Sequence, residues 1–137
     1  MTAPRPYSEL QSLEHVYLED TYVLRIRWAD DALIFWLEAI LTEQHPDYFP
    51  PKPGEQYCYR RCLLAFRHPR EVQWQELDTL ASADAAGETD LGNIDTFVDL
   101  GGRYHLRGGW GEVIITGPPP VLEDWPATVP DNLFRFR

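Results

Sequence analysis

Apolar side chains recur at every second position between residues 22 and 41, which is the most regular pattern in the chain. One face of the first half carries Tyr22, Leu24, Ile26 and Trp28, and one face of the second half carries Leu33, Phe35, Leu37, Ala39 and Leu41. A period of two residues is typical of β-strands, and the acidic pair at 30–31 between the halves indicates a turn. The segment therefore predicts a β-hairpin whose second strand, apolar on both faces except at Glu38, is central in a sheet.

Five further apolar segments separated by turn residues predict more strands, at residues 57–66, 71–77, 94–100, 103–107 and 110–116. The last three are joined only by the glycine pairs at 101–102 and 108–109, and such pairs are typical of tight hairpins. Strands at this spacing without intervening helices predict an all-β fold, a single-domain antiparallel sandwich or open barrel of about seven strands with little helix. We assign residues 1–17 to a lead-in with helical turns from Ser8, 18–118 to the β domain, and 119–137 to a C-terminal tail that packs on the sheet.

The segment at residues 42–56 is a long connection that contains four prolines. We expect a proline-stiffened crossover between two sheets, although long loops in compact domains are also common places for binding sites. Cys58 and Cys62 lie on one face of the strand that follows. Four residues of strand span about 13 Å, more than the Cα separation of about 7 Å that a disulfide allows, so both are expected to be free thiols.

The composition of the chain is that of one folded domain, because its 137 residues are 44% hydrophobic and include five Trp and seven Tyr. No apolar stretch approaches the roughly 18 residues of a membrane span, and the first residues lack the pattern of a signal peptide. We therefore expect a cytoplasmic protein that does not act at a membrane. The excess of Arg over Lys, together with much Ala, Pro, Asp and Trp, indicates a bacterial source.

Negative charge is concentrated in one part of the chain. The formal net charge is −10, and the run from Glu71 to Gly102 contains eight carboxylates and no Lys or Arg. Such a field attracts basic surfaces and repels phosphate backbones, which predicts a basic protein partner and disfavours nucleic acid. Our candidate contact residues are Asp84, Glu88, Asp90 and Asp95. A solvated loop and a Ca²⁺ site are the alternatives, although the spacing does not fit an EF-hand loop.

A second interpretation places a small-molecule or enzymatic pocket among aromatic residues. Its candidate residues are Trp36, Glu38, Tyr59 and Trp74, with Glu38 as the one carboxylate on an otherwise apolar strand. A salt bridge from Glu38 to Arg60 or Arg61 on a neighbouring strand is the simpler explanation of that carboxylate. The four histidines form no catalytic triad, and the glycine pairs join strand to strand, which does not fit a phosphate cradle. We expect no cofactor and no metal, and favour binding over catalysis.

Arginine and aromatic residues form another candidate surface. Tyr57, Tyr59 and Arg61 share one face of their strand, and Arg25 and Arg27 project from the first strand of the hairpin. Arg and Tyr are enriched at the energetic centres of protein interfaces. Pairing of these arginines with carboxylates across strands is an equally good account.

Three short motifs carry a resemblance to a known group of proteins. At Gly54–Arg60, Gly92–Asp95 and Gly109–Val113 the chain resembles a family of small uncharacterised bacterial all-β proteins, over roughly residues 18–118. These motifs carry no known chemistry, so the resemblance assigns no functional residue. In profile, as a short, acidic, single β-rich domain, the chain is also similar to immunity proteins that neutralise bacterial toxins, which implies a role in binding a basic toxin.

Overall fold

The computed structural model describes residues 4–77 and 92–124. Within these ranges the chain forms nine strands, namely β1 (Arg5–Pro6), β2 (Val16–Ala29), β3 (Ala32–Leu41), β4 (Cys58–Arg67), β5 (Glu71–Leu77), β6 (Ile94–Asp99), β7 (Arg103–Gly108), β8 (Gly111–Thr116) and β9 (Val121–Asp124). A five-stranded sheet has the order β1-β6-β7-β8-β5, and a four-stranded sheet has the order β2-β3-β4-β9. All pairings are antiparallel. The all-β prediction is confirmed, and the architecture is a sandwich.

The predicted hairpin at residues 22–41 is confirmed as β2 and β3. Its two turn residues, Asp30 and Asp31, have φ angles of 52° and 58°. Two consecutive left-handed residues match the right-handed twist of the flanking strands. Aspartate tolerates this conformation better than most residues do, because its short side chain can bond locally. β3 lies between β2 and β4, which confirms its predicted central position.

The main core lies between the two sheets. The four-stranded sheet contributes the alternate residues Leu33, Phe35, Leu37, Ala39 and Leu41 of β3, together with Cys58, Cys62, Leu64 and Phe66 of β4. The five-stranded sheet contributes Ile94, Phe97, Tyr104, Leu106, Trp110, Val113 and Ile115. The predicted inner faces of both β3 and β4 are therefore confirmed. Both cysteines are buried and remain outside any disulfide bond, as expected.

The predicted inner face of β2 is wrong at one end. The register between β2 and β3 shifts between Val23 and Arg25, which is a β-bulge at Leu24. A bulge inserts one extra residue and so reverses which face the following side chains occupy. Val23 and Ile26 therefore point into the main core, whereas Tyr22 lies opposite Glu38 on the outer face.

The connection at residues 42–56 is not a crossover between sheets. β3 and β4 are neighbours in one sheet, with Leu41 opposite Cys58, so this segment is a long hairpin connection. The chain passes between the sheets instead at residues 68–70, after β4. There His68 has a φ angle of 51°, and its backbone N–H donates to the carbonyl oxygen of Asp31 at 2.8 Å.

The ends of the described chain add one short strand to each sheet. β1 pairs with β6, and β9 pairs with β4. Between β1 and β2, two 3₁₀ turns at Tyr7–Glu9 and Gln11–Leu13 stand where helical turns were expected, and they bury Tyr7 and Leu13. Residues 125–137 of the predicted tail lie outside the described residues. None of the helical segments in the described part has the length and apolar character to cross a membrane.

Candidate functional site

The candidate acidic residues are only partly within the described chain. Asp84, Glu88 and Asp90 lie outside the described residues, whereas Asp95 is exposed on β6. Asp99, from the same acidic run, is buried: it accepts hydrogen bonds from the Arg5 guanidinium at 2.5 Å and the Gly101 backbone N–H at 2.8 Å. The acidic run therefore does not act as one surface, because this carboxylate supports the edge of the five-stranded sheet.

Two acidic residues of β2, Glu19 and Asp20, belong to a segment that contacts Gly92 and Asn93 of the acidic run, and the sequence alone does not indicate this contact. The Asn93 side-chain amide donates to the carbonyl oxygen of Glu19 at 2.7 Å, and the Val23 backbone N–H donates to the carbonyl oxygen of Gly92 at 2.9 Å. These bonds hold β2 of one sheet against the start of β6 in the other. Glu19 is exposed and Asp20 is half-buried. We call Glu19, Asp20 and Asp95 the acidic corner.

Glu19 and Asp20 are about fifty residues or more from the acidic run in sequence, and nothing in their local pattern indicates the contact. Only the packing of the two sheets brings them there. The acidic corner also has internal support, since the Tyr7 hydroxyl donates to Glu19 Oε1 at 2.5 Å and fixes that side chain. The same Tyr7 hydroxyl accepts the Leu18 backbone N–H at 2.9 Å.

A row of tyrosines begins next to the acidic corner. Tyr17 is 38% exposed, and the neighbouring charge of Asp20 raises its pKa. Tyr57 and Tyr59 meet edge to face with ring centroids 6.1 Å apart, and Tyr59 stacks on Tyr22 at 6.1 Å. We call Tyr17, Tyr22, Tyr57 and Tyr59 the tyrosine row. Burial, followed by the effect of Tyr22, raises the pKa of Tyr59 to about 12, so this phenol stays neutral and keeps its donor proton at physiological pH.

The four residues of the predicted aromatic pocket do not come together. Trp36, Glu38 and Tyr59 are all on the outer face of the four-stranded sheet, and Glu38 pairs with Arg61 at 3.5 Å, one of the two arginines named for it. Trp74 is on the five-stranded sheet, where it meets Trp110 edge to face at 6.2 Å. A cavity shared by all four would need to pass through the four-stranded sheet.

The outer face around Trp36 is itself a small apolar cluster. Ala32, Ile34, Leu63 and Ala65 are buried there, and Trp36 and Ala29 pack against them. Arg25 lies opposite Trp36 in the strand register. Arg25 and Arg61, both named from the sequence, therefore share this outer face, and Arg61 has the cross-strand carboxylate partner that one of the two interpretations requires.

A polar cleft of about 170 Å³ contains a histidine and a cysteine. Arg60 pairs there with Asp47 at 3.0 Å and also with Asp124. Cys62 lines the cleft, but burial raises the pKa of its thiol to about 12. His45 has a pKa that burial lowers. Since the thiolate is the reactive form of cysteine, this pair is not poised for nucleophilic chemistry at neutral pH.

His105 and Glu112 form a close pair on the outer face of the five-stranded sheet, through Nε2 and Oε2. His105 alternates with the buried Tyr104 and Leu106, so its side chain faces away from the core. Within residues 4–77 and 92–124, His, Cys, Asp and Glu side chains form no group of three or more that could hold a metal ion.

We compared the chain with models of protein families, with curated proteins and with solved structures. None of the three comparisons gives a match. The resemblance to the bacterial all-β family therefore stays a prediction from the sequence motifs.

Proposed function

We propose that this protein is a non-catalytic binding domain that holds a basic protein partner through the acidic corner and the adjoining tyrosine row. In its most specific form, it is a bacterial cytoplasmic protein that acts like an immunity protein and binds a basic toxin. The single observation that supports the proposal best is the contact of β2, through the Glu19 carbonyl and the Val23 N–H, with Asn93 and Gly92 of the acidic run in the other sheet.

Charge supports the basic character of the partner. The chain has a formal net charge of −10, and eight of its carboxylates lie in residues 71–102. The acidic corner adds Glu19 and Asp20 at the described end of that run. Opposite charge on a partner speeds the encounter and selects the correct partner, while its effect weakens with salt.

The tyrosine row adds apolar contact area and aromatic ring faces, which charge alone does not provide. Tyrosine combines a large apolar face with a hydroxyl group and has few rotatable bonds, so it gains contact area at a low cost in entropy. Ring faces also attract the Lys and Arg side chains of a basic surface through cation–π interactions. A charged rim beside exposed aromatic residues is the arrangement seen in many interfaces that are not permanent.

The test compares two variants with equal changes in charge. The corner variant carries Glu19→Gln, Asp20→Asn and Asp95→Asn, and the control variant carries Glu43→Gln, Glu55→Gln and Glu71→Gln, all exposed. Each immobilised protein captures partners from a bacterial lysate at low salt, and the Kd is then measured for the purified partner. Exposed ion pairs contribute about 0.2–1 kcal/mol each, so the corner variant loses about threefold to about a hundredfold in affinity.

Two results decide the outcome. A basic partner that is lost with the corner variant, kept with the control variant and released by salt supports the proposal. Equal binding of one partner by wild type and both variants contradicts it, because the contact then lies elsewhere.

A further inference from the structure

A second concave site lies at the opposite end of β2 from the acidic corner. It is a cleft of about 340 Å³ where the open end of β2 and the edge strand β5 face each other, lined by Ile26, Arg27, Trp28, Leu33, Val72 and Trp74. Measured along the partner strand β3, Glu19 lies between the positions opposite Ile40 and Glu38, and Arg27 lies opposite Ile34, so four to six residues, or about 13–20 Å, separate them. The cleft is therefore distinct from the proposed partner-binding surface.

The floor and walls of this cleft are apolar. Ile26 and Val72 pack against the main core, and Leu33 belongs to it. Trp28 is 55% exposed and Trp74 is 36% exposed, so two indole rings border the cleft in contact with water. Trp74 is held in place by its edge-to-face contact with the buried Trp110. Exposed aromatic walls over an apolar floor are typical of sites that take an apolar ring or chain.

One cationic residue, Arg27, also lines the cleft: it lies opposite Ile34 on the outer face of the edge strand β2, and it borders the cleft across that open edge. Arg27 is exposed, and among the described residues no carboxylate lies within ion-pair distance of it. The nearest acidic side chains in sequence belong to the β2–β3 turn, where Asp31 already pairs with His68 at 2.8 Å. Burial, followed by the charge of Arg27, lowers the pKa of Arg25, so the two guanidinium groups are near neighbours. A planar guanidinium group with free donors matches a carboxylate.

We propose that the cleft binds a small molecule that has an apolar aromatic or aliphatic body and one carboxylate group. The body lies between Trp28 and Trp74, and the carboxylate accepts hydrogen bonds from Arg27. The site uses none of the residues of the acidic corner or the tyrosine row.

Two probes with the same ring system test the proposal, namely 2-naphthoate and the neutral 2-naphthamide, titrated into the full chain by calorimetry. We expect wild type to bind the carboxylate about two- to fivefold more tightly, as one exposed charge pair allows. Arg27→Gln removes this preference and leaves the amide unchanged. The matched control Arg103→Gln, an exposed arginine on the other sheet, keeps the preference.

A second variant tests the apolar wall. Trp28→Ser removes an exposed side chain, so the fold is retained, as circular dichroism verifies. If the naphthyl ring covers about 50 Å² of that indole at about 25 cal/mol per Å², both probes lose about eightfold in affinity. Absence of binding by either probe at millimolar concentration, equal binding of both probes by wild type, or unchanged binding after Trp28→Ser overturns the proposal.

Discussion

Gly108 is the position where adding one methyl group should disturb this fold most. A Cβ atom there would lie 2.0 Å from the carbonyl oxygen of Asn93 and 2.5 Å from Nε1 of Trp110. Those two atoms are the acceptor and donor of one hydrogen bond, which is 3.0 Å long. Gly108→Ala therefore places a carbon atom against a hydrogen bond that ties the β7–β8 turn to the residue before β6.

The expected cost has two parts. Overpacking a well-filled site costs about 1–3 kcal/mol, since backbone or side chains must move away. Trp110 is 1% exposed, so a displaced indole N–H loses its partner without gaining water, which costs a further 1–3 kcal/mol or so. The sum, about 2–6 kcal/mol, is a large share of the 5–15 kcal/mol or so by which proteins are stable.

Urea unfolding followed by circular dichroism measures the free energy of unfolding for Gly108→Ala and for a control, Gly102→Ala. A Cβ at Gly102 meets no atom within 4 Å, but its φ angle of +85° disfavours alanine, at a cost of about 1–2 kcal/mol. Gly108→Ala should thus be the more damaging change. Equal or smaller destabilisation by Gly108→Ala would refute the close approach between β7 and Asn93.

Three further predictions concern stability, pH dependence and reactivity. Phe35→Ala should lower the free energy of unfolding in urea by about 3–5 kcal/mol, because Phe35 is fully buried against Phe66 and Trp110. The control Gln73→Ala, at an exposed position, should change it by no more than about 0.5 kcal/mol. Burial lowers the pKa of His45 below its usual 6.5. As the pH falls below 6.5, the unfolded chain therefore binds a proton at His45 before the folded chain does, and the free energy of unfolding decreases. The His45→Gln variant should lose less stability than wild type between pH 7.5 and 5.0, and an equal loss would contradict this. Burial raises the pKa of Cys62 from 9.0 to about 12, so at pH 8 the folded chain holds about a thousandfold less Cys62 thiolate than the unfolded chain. A thiol reagent should therefore label Cys62 only when urea unfolds the chain. Prompt labelling of Cys62 in the native protein would count against its burial.

The elements that the sequence predicted are those with local causes. The alternation in β3 and the Asp30–Asp31 turn need only their immediate neighbours, and both are found in the structure. The Gly101–Gly102 pair lies in the turn between β6 and β7, and the turn between β7 and β8 is Gly109–Trp110, one residue beyond the predicted pair, so the meander follows from the chain itself. The short strands β1 and β9 could not be found in this way, because two to four residues do not establish a period.

The features that the sequence did not predict depend on contacts between distant residues. The bulge at Leu24 moves Tyr22 to the outer face, and no local pattern marks it. Glu19 is placed in the acidic corner only through its hydrogen bond to Asn93, 74 residues away. Trp36 and Trp74 were assigned to one pocket because both are aromatic, whereas the two sheets place them on different surfaces.

The two ends of strand β2 carry side chains of opposite charge. Its first residues carry Glu19 and Asp20, while its last residues carry Arg25 and Arg27 beside Trp28. A net charge of −10 would by itself argue against any site for an anion. At physiological ionic strength, however, exposed charges are screened over about 8 Å, and the two ends are about 13–20 Å apart along the register of β3. The acidic corner therefore does not repel a carboxylate at the cleft, and one edge strand supports a surface for a basic partner and a site for an acidic ligand.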